Sequence, residues 1–208
     1  LDLQRFPGLA TRNLFDPNQR TTYSIQWSFD YQRELTSDLV GTVGYVGNRG
    51  LKLLTLHWLN DVDAATGQRP KPTTSRVSYQ EHSGMSNYHG LQTSLKKRFS
   101  HGVTFNLHYT WSKALEQGGV DNMTASGVSN VQDHRNIRAS RGRHIADIRH
   151  NLSLDHSWDV PFDRWFGATS PVMRRIAAGW QIFGILSMRS GTPFLITSGR
   201  DNYGLGTN

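Results

Sequence analysis

The residues best suited to contact a ligand lie in one polar stretch, which begins at Glu116 and continues to about residue 146. Acidic and amide side chains stand near its start, and arginines stand near its end. Guanidinium groups bind carboxylate, phosphate or sugar oxygens through directed hydrogen bonds, and loops on a rigid scaffold commonly hold binding residues. The alternatives are that these arginines bind lipopolysaccharide phosphates at the outer leaflet or only keep the loop solvated. The predicted ligand-contact residues are Glu116, Asp121, Asn122, Arg135, Arg138, Arg141, Arg143 and His144.

No constellation in the sequence points to catalysis. The chain has no cysteine, which excludes a thiol nucleophile, a cysteine-based zinc site and a disulfide. Its nine histidines form no H-E-x-x-H pair, and there is no G-x-S-x-G nucleophile elbow. No helix follows the glycines at 44, 47 and 50 to bring its N-terminus to a phosphate, so bends or close backbone contact explain them better. We expect a protein that is not an enzyme and that holds no metal or cofactor.

The charge and the hydropathy narrow the class of protein further. A net charge of +7 suits a nucleic-acid partner, but much of the excess lies in residues 135–149 and does not follow a helix face. We therefore expect a solvated basic loop and no nucleic-acid partner. No apolar run approaches the roughly 20 residues of a membrane helix. A barrel strand needs only about 9 to 11 residues, of which alternate ones are apolar.

Alternation of apolar and polar residues is the strongest structural signal in the chain. Residues 23–31 read YSIQWSFDY and residues 103–111 read VTFNLHYTW, with an apolar side chain at every odd position. Side chains on a strand point to opposite faces with period two, so each stretch has one apolar and one polar face. A soluble sheet covers its apolar face with a core, whereas a transmembrane barrel covers it with lipid.

The lengths of the connections favour the barrel. They run short, long, short, long and intermediate along the chain, and an up-and-down order then places the long loops at one end. In outer-membrane barrels the short turns are periplasmic and the long loops extracellular. A soluble all-β binding domain with two long insertions remains the alternative. The six predicted strands lie at roughly 21–34, 38–48, 88–99, 102–114, 147–160 and 178–190.

The two faces of these strands can be assigned from their phase. On the apolar phase, Tyr31, Phe99, Trp158 and Trp180 fall near the periplasmic ends, while Tyr23, Tyr45 and Trp111 fall near the outer ends. Two belts of aromatic rings are typical of a barrel wall at its two interfaces with water. The polar phase should line the lumen. The predicted lumen-facing residues are Gln26, Asp30, Gln92, Lys96, Asn106, His108, Arg149 and Asp155.

Several short motifs, in order and spacing, resemble the β-barrel domain of Oar-like TonB-dependent receptors from about residue 16 to residue 196. The motifs are DPN at 16–18, GYVGNRG at 44–50, SNYHGLQ at 86–92, KRFSHG at 97–102, YTWSK at 109–113, DIRH at 147–150, GWQ at 179–181 and SGTPF at 190–194. The N-terminal plug, the energy-coupling box and the C-terminal aromatic strand of that family are missing. Energised transport is therefore something the resemblance implies for a parent protein.

The resemblance completes the predicted picture. It implies an all-β, antiparallel, up-and-down sheet of about six strands that forms a sector of a large transmembrane barrel with long extracellular loops. Residues 1–208 would be a partial barrel domain in the bacterial outer membrane. Its partners would be membrane lipid, lipopolysaccharide, the plug domain of the parent chain and the TonB energy-coupling complex.

The resemblance implies energised uptake of a scarce nutrient, which could be an oligosaccharide, a peptide or a metal chelate. The alternative from another functional class is a structural or adhesive surface protein that transports nothing.

Overall fold

The computed structural model describes residues 12–63, 65–73, 75, 77–118, 131, 135–167 and 169–194. Two short helices, α1 (Phe162–Trp165) and α2 (Pro171–Ala177), and a 3-10 turn at Ile137–Ser140 interrupt an otherwise β structure. The strands are β1 (Arg12–Phe15), β2 (Tyr23–Thr36), β3 (Leu39–Leu59), β4 (Val77–Ser100), β5 (Val103–Gln117), β6 (Arg141–Arg143), β7 (His150–Val160) and β8 (Trp180–Arg189).

All eight strands belong to one sheet, in which the six long strands follow the order β2-β3-β4-β5-β7-β8. Every neighbouring pair along this path is antiparallel. The predicted up-and-down antiparallel fold is therefore confirmed. In the described part of the chain β2 and β8 each have one neighbour on this path, so the sheet is open and does not close on itself.

The register assigns the two faces of the sheet. Residues directly opposite each other in an antiparallel pair lie on the same side. Tyr45 lies between Phe29 of β2 and Leu91 of β4, and Leu91 lies opposite Trp111 of β5. The apolar phases thus share one side, which we call the apolar face. Its members on β2 and β5, all exposed or half-buried, are Tyr23, Ile25, Trp27, Phe29, Tyr31, Val103, Phe105, Leu107, Tyr109 and Trp111.

The wall of the sheet has no protein core of its own. Among the described residues, the buried apolar side chains are Leu56, Val77, Val131 and Val160. Leu56, Val77 and Val131 lie at the long-loop end of the sheet, where Val131 donates its N–H to the carbonyl of Leu56 at 3.1 Å. The apolar face is covered by no second described sheet, contrary to the soluble all-β alternative. Such a face is stable only when another apolar phase covers it.

Two glycines of β3 accommodate large side chains from β2. A Cβ at Gly47 would overlap the indole ring of Trp27, and a Cβ at Gly44 would overlap the carboxylate of Asp30. Trp27 lies opposite Gly47 on the apolar face, and Asp30 lies opposite Gly44 on the other face of the sheet. The glycines predicted to mark close backbone contact therefore do so.

The short connections at the end opposite the long loops are tightly built. His101 and Gly102 join β4 to β5 with φ values of 51° and 78°, and positive φ at both central residues is what a type I′ hairpin turn requires. Asp38, in the turn between β2 and β3, accepts hydrogen bonds from Lys97 and Ser100 of the neighbouring hairpin. These bonds, with one from Thr36, hold the pKa of Asp38 well below its usual range. The two hairpins are thus joined at their bases.

The structure corrects several predicted boundaries. The second and third predicted strands, at 38–48 and 88–99, are β3 and β4, and both continue far into the stretch that we had assigned to a loop. The short strands β1 and β6 were not predicted; β1 pairs with β4 in parallel and β6 pairs with the end of β5. The connection from 161 to 175 was predicted without structure, but it contains α1 and α2.

The extension of β3 and β4 is separated from the wall by irregular pairing. Leu51 pairs with Met85, Leu53 with Gly84 and Thr55 with Glu81, so the register shifts twice within a few residues. Such β-bulges bend a strand and increase its local twist.

The space above Gly47 gives a direct test of this packing. We predict that Gly47→Val lowers the free energy of unfolding by about 1–3 kcal/mol, because the new side chain displaces the Trp27 ring in a filled site. Gly142→Ala is the control, since a Cβ at Gly142 would meet nothing within 4 Å. Urea titration in detergent micelles, followed by tryptophan fluorescence, measures both changes. Equal stability of the two variants would contradict the packing described here.

Candidate functional site

The long-loop end of the sheet carries a rigid platform that the sequence did not reveal. Beyond the irregular pairing, β3 and β4 continue as a two-stranded extension to Leu59 and Val77. β1 pairs with the Val77 end of β4, on the side that β5 no longer reaches. The signal for this extension was present in LKLLTLHWL at 51–59, which is apolar in both phases, as expected for a strand covered on both faces.

A set of polar side chains is enclosed in this extension. Thr55 is fully buried and accepts a hydrogen bond from Ser83 Oγ at 3.2 Å. Ser83 Oγ also lies 2.7 Å from Glu81 Oε1, and His57 Nδ1 lies 3.9 Å from the same oxygen. Buried polar groups joined in this way fix a single arrangement of their strands. We assign this cluster a role in holding the platform rigid.

The predicted arginine-rich loop is held at its base by the end of β5. β6 pairs with the last residues of β5, so that Arg143 lies opposite Leu115 and Arg141 opposite Gln117. Asp147, which is 1% exposed, accepts a hydrogen bond from the Ala114 N–H at 2.7 Å and one from Arg143 Nε at 2.7 Å. Burial raises the pKa of Asp147, but these two bonds, together with the charges of Arg143 and Arg149, outweigh it and lower the pKa below its usual range.

Some of the predicted ligand-contact residues are engaged with other side chains, and others are exposed. Arg143 is committed to Asp147, and His144 Nε2 lies 3.7 Å from Glu116 Oε2. Arg138 and Arg141 are exposed and form no ion pair with any residue that the structure describes. Arg135 is exposed and has an interaction of its own. Asp121 and Asn122 lie outside the described residues.

The residues predicted to face a lumen fall on the side of the sheet opposite the apolar face. Gln92 lies opposite Thr110 and Lys96 opposite Asn106. The same phase continues into β7 and back to β2. Through the register of these strands the polar side holds Gln26, Asp30, Gln92, Lys96, Asn106, His108 and Asp155. Arg149, just before β7, is in the same phase, and its carbonyl accepts the Ser112 N–H at 3.0 Å.

A side-chain hydrogen bond links neighbouring strands on the polar side, and the edge strand β8 adds apolar side chains to it. Asn106 Nδ2 donates to Asp155 Oδ2 at 2.7 Å, which links β5 to β7. On the edge strand β8, the register places Phe183 opposite Ser157 and Ile185 opposite Asp155. Both apolar side chains are strongly exposed, with Ile185 at 88%. The sequence left the register of this strand open, because β8 is apolar in both phases.

The chemistry available at these surfaces is recognition by hydrogen bonds and charge. Among the described residues no group of three or more His, Cys, Asp or Glu side chains is arranged to hold a metal ion. Exposed guanidinium groups stand on a backbone fixed by β6 and Asp147, and such preorganisation reduces the entropy lost on binding.

Asp147 should control whether the base of the loop stays closed. In Asp147→Asn the amide N–H₂ would meet the Arg143 N–H, so one buried donor loses its acceptor at a cost of about 1–3 kcal/mol. We predict that hydrogen exchange in residues 112–118 and 141–147 accelerates roughly tenfold or more, since local opening becomes easier. Mass spectrometry of peptides covering these residues measures the rate.

The lowered pKa of Asp147 also predicts how the effect of this substitution on stability depends on pH. The pKa of Asp147 is lowered in the folded chain, so its stabilising effect is complete above the unfolded pKa, about 3.9. The effect is lost as pH falls through the lower folded pKa. The difference in the free energy of local opening between the original chain and Asp147→Asn should be constant from neutral pH to about pH 5 and should become smaller below it. Asp159→Asn, an exposed carboxylate at the opposite end, is the control. A difference that grows on acidification would contradict the assignment.

Comparisons with known proteins agree with this architecture. In the described part of the chain, no helix has the length and apolar character needed to cross a membrane. A search of curated proteins and a search of solved structures found no match. A family model described as an outer membrane beta barrel domain matches residues 4–208. The chain therefore belongs to the outer-membrane β-barrel domain family, and its location is the bacterial outer membrane.

Proposed function

We propose that this chain is a sector of the barrel of an Oar-like TonB-dependent receptor that takes up a scarce nutrient. In this proposal further strands of the parent protein complete a barrel of 22 strands, as the resemblance implies. A plug domain in the lumen gates it, and the periplasmic TonB complex supplies the energy. The wall provides rigidity, the long loops provide recognition, and no chemical step takes place on the chain.

The observation that carries the proposal is the polar side of the open sheet. Six strands contribute polar side chains to it; those of β2 are all exposed, as are Gln92, Lys96 and His108 on β4 and β5. Gln26, Asp30 and Lys96 would be ordinary on a solvated surface, but the opposite face lies against lipid, which supports the proposal that this side lines the interior of a barrel. An interior lined with exposed charge suits contact with water or with a second polar surface, such as a plug.

The platform at the long-loop end supports the recognition step. Arg138 and Arg141 are exposed beside a loop base that β6 and Asp147 hold in place. Guanidinium groups at such a position suit a ligand with carboxylate, phosphate or sugar oxygens. Lipopolysaccharide phosphate is a second ligand of the same chemistry.

A structural or adhesive surface protein is the rival proposal, because a rigid platform above a membrane also suits attachment to another surface. The two differ in the lumen: a receptor needs a plug that moves when energised, whereas an adhesin needs only a fixed wall. This chain lacks cysteine, so single cysteines introduced into it can be labelled selectively in the complete polypeptide once any cysteines outside the chain are replaced by serine.

We predict that His108→Cys, on the polar side, reacts with a bulky membrane-impermeant maleimide only slowly in intact cells. Ferric citrate, maltodextrin and a tryptic peptide mixture serve separately as ligand probes. Labelling should accelerate with a probe that is transported and fall when the proton gradient is collapsed, because energised movement of the plug opens the lumen. Leu107→Cys, on the apolar face, is the matched control and should remain unlabelled because lipid covers it.

Deletion of the plug gives the second measurement. A plugged lumen predicts that His108→Cys then labels quickly whether or not the cells are energised. Rapid labelling of the undeleted protein, unchanged by the proton gradient and by every probe, would reject the receptor and favour the adhesive protein.

A further inference from the structure

The connection between β7 and β8, which was predicted to be of intermediate length, has its own folded structure. α1 begins directly after Pro161. α2 begins with Pro171, and the Ser170 hydroxyl accepts the Met173 N–H at 3.1 Å. A serine cap followed by proline is a typical helix start. The segment from α1 to α2 is thus specified locally, and we call it the basal segment.

The basal segment is attached to the apolar face of the wall. Trp158 and Trp180 belong to that face, since Trp158 lies opposite Val103 and Trp180 opposite Val160. The ring of Trp165 lies 5.8 Å from that of Trp158. The Trp180 indole N–H donates to the carbonyl of Ile176 at 2.7 Å. One helix is therefore held through a ring contact and the other through a hydrogen bond.

Phe162 closes the aromatic cluster. Its ring lies 5.8 Å from Trp165 and 6.3 Å from Trp180. The basal segment therefore continues the aromatic belt of the wall and does not hang free from it. Aromatic rings of this kind collect where hydrocarbon meets water.

The outer surface of the basal segment is apolar and exposed. Trp165 is 59% exposed, and Phe166, Val172 and Ile176 are each 68% exposed. On α2, Val172, Met173 and Ile176 occupy one stripe at helical spacing, with Arg175 at its edge and Arg174 on the opposite side. In water, contiguous apolar surface of this kind is unfavourable and marks an interaction site.

The charges beside this surface identify its partner. Arg164, Arg174 and Arg175 are exposed, and Asp163 is the one acidic side chain in the two helices. A short amphipathic element with arginine on one side and tryptophan, phenylalanine and isoleucine on the other is suited to the plane of a membrane interface. Its attachment to the apolar face places it at the level where the lipid headgroups meet the wall.

We propose that the basal segment lies in the headgroup region of the periplasmic leaflet. Its apolar side chains enter the acyl boundary, and its arginines bind the phosphates of anionic phospholipid. It would fix the depth of the wall in the membrane. The proposal depends on the wall being in the outer membrane and not on transport, so it stands or fails independently of the receptor assignment.

Site-directed labelling of the complete polypeptide in lipid vesicles tests this placement. Ile176→Cys is labelled with an environment-sensitive fluorophore, and the vesicles contain phosphatidylcholine with or without phosphatidylglycerol. Leu154→Cys marks the middle of the wall, and Ser37→Cys marks an exposed turn at the same end. The probe at 176 should emit at shorter wavelength than the probe at 37. Nitroxide-labelled lipid should quench it to an extent between those of the two controls.

The arginine contacts are tested by a second variant. Phosphatidylglycerol should increase the lipid quenching at position 176, and Arg174→Gln with Arg175→Gln should remove that increase while leaving the quenching at Leu154→Cys unchanged. A probe at 176 that is as accessible to aqueous iodide as the probe at 37 would overturn the proposal. A probe at 176 that is shielded from both iodide and lipid nitroxide would overturn it as well, because a protein would then cover the surface.

Discussion

The structure depends on one constraint, which is that backbone N–H and C=O groups in hydrocarbon find no water to bind. Each unpaired group would cost several kcal/mol, so a wall in lipid must pair its backbone from strand to strand. The ladder β2-β3-β4-β5-β7-β8 does this without interruption across the apolar face. Side-chain packing then becomes secondary, which explains why a sheet of this size stands with so few buried apolar residues in its described part. Lipid does for this sheet what a core does for a soluble protein.

The same constraint explains how much of the fold the sequence predicts. A wall with lipid on one side and a polar interior on the other enforces strict alternation, so strands such as β2 and β5 could be located from period two alone, although β8 is apolar in both phases. The predicted strands that correspond to β3 and β4 end too early, because the alternation stops above the membrane. Residues 51–59 are apolar in both phases. β1 and β6 are too short to show any period. Helix α2 of the basal segment has a serine–proline start that is also compatible with a turn.

The candidate site was less predictable, because its geometry comes from pairings distant in sequence. The residue types in the arginine-rich loop indicated binding, but they did not separate a structural arginine from an available one. Arg143 differs from Arg141 only because Asp147 returns beneath β5 to the Ala114 N–H. That arrangement follows from the pairing of β6 with β5, which no local sequence pattern predicts. His144 and Glu116 are brought together by the same pairing.

The irregular pairing between Leu51 and Thr55 has a consequence for how this protein can change. In an uninterrupted ladder, adding or removing one residue would turn every later side chain to the other face. Here the two register shifts are opposite in sense, with one extra residue on β3 followed by one on β4, and Lys52 has a φ of 54°; each strand thus already accommodates an odd residue at this joint. Length variation beyond that joint leaves the phase of the strand below it unchanged. The extension of β3 and β4 can therefore vary in sequence and length while the lipid-facing part of the same strands keeps its alternation of apolar and polar residues.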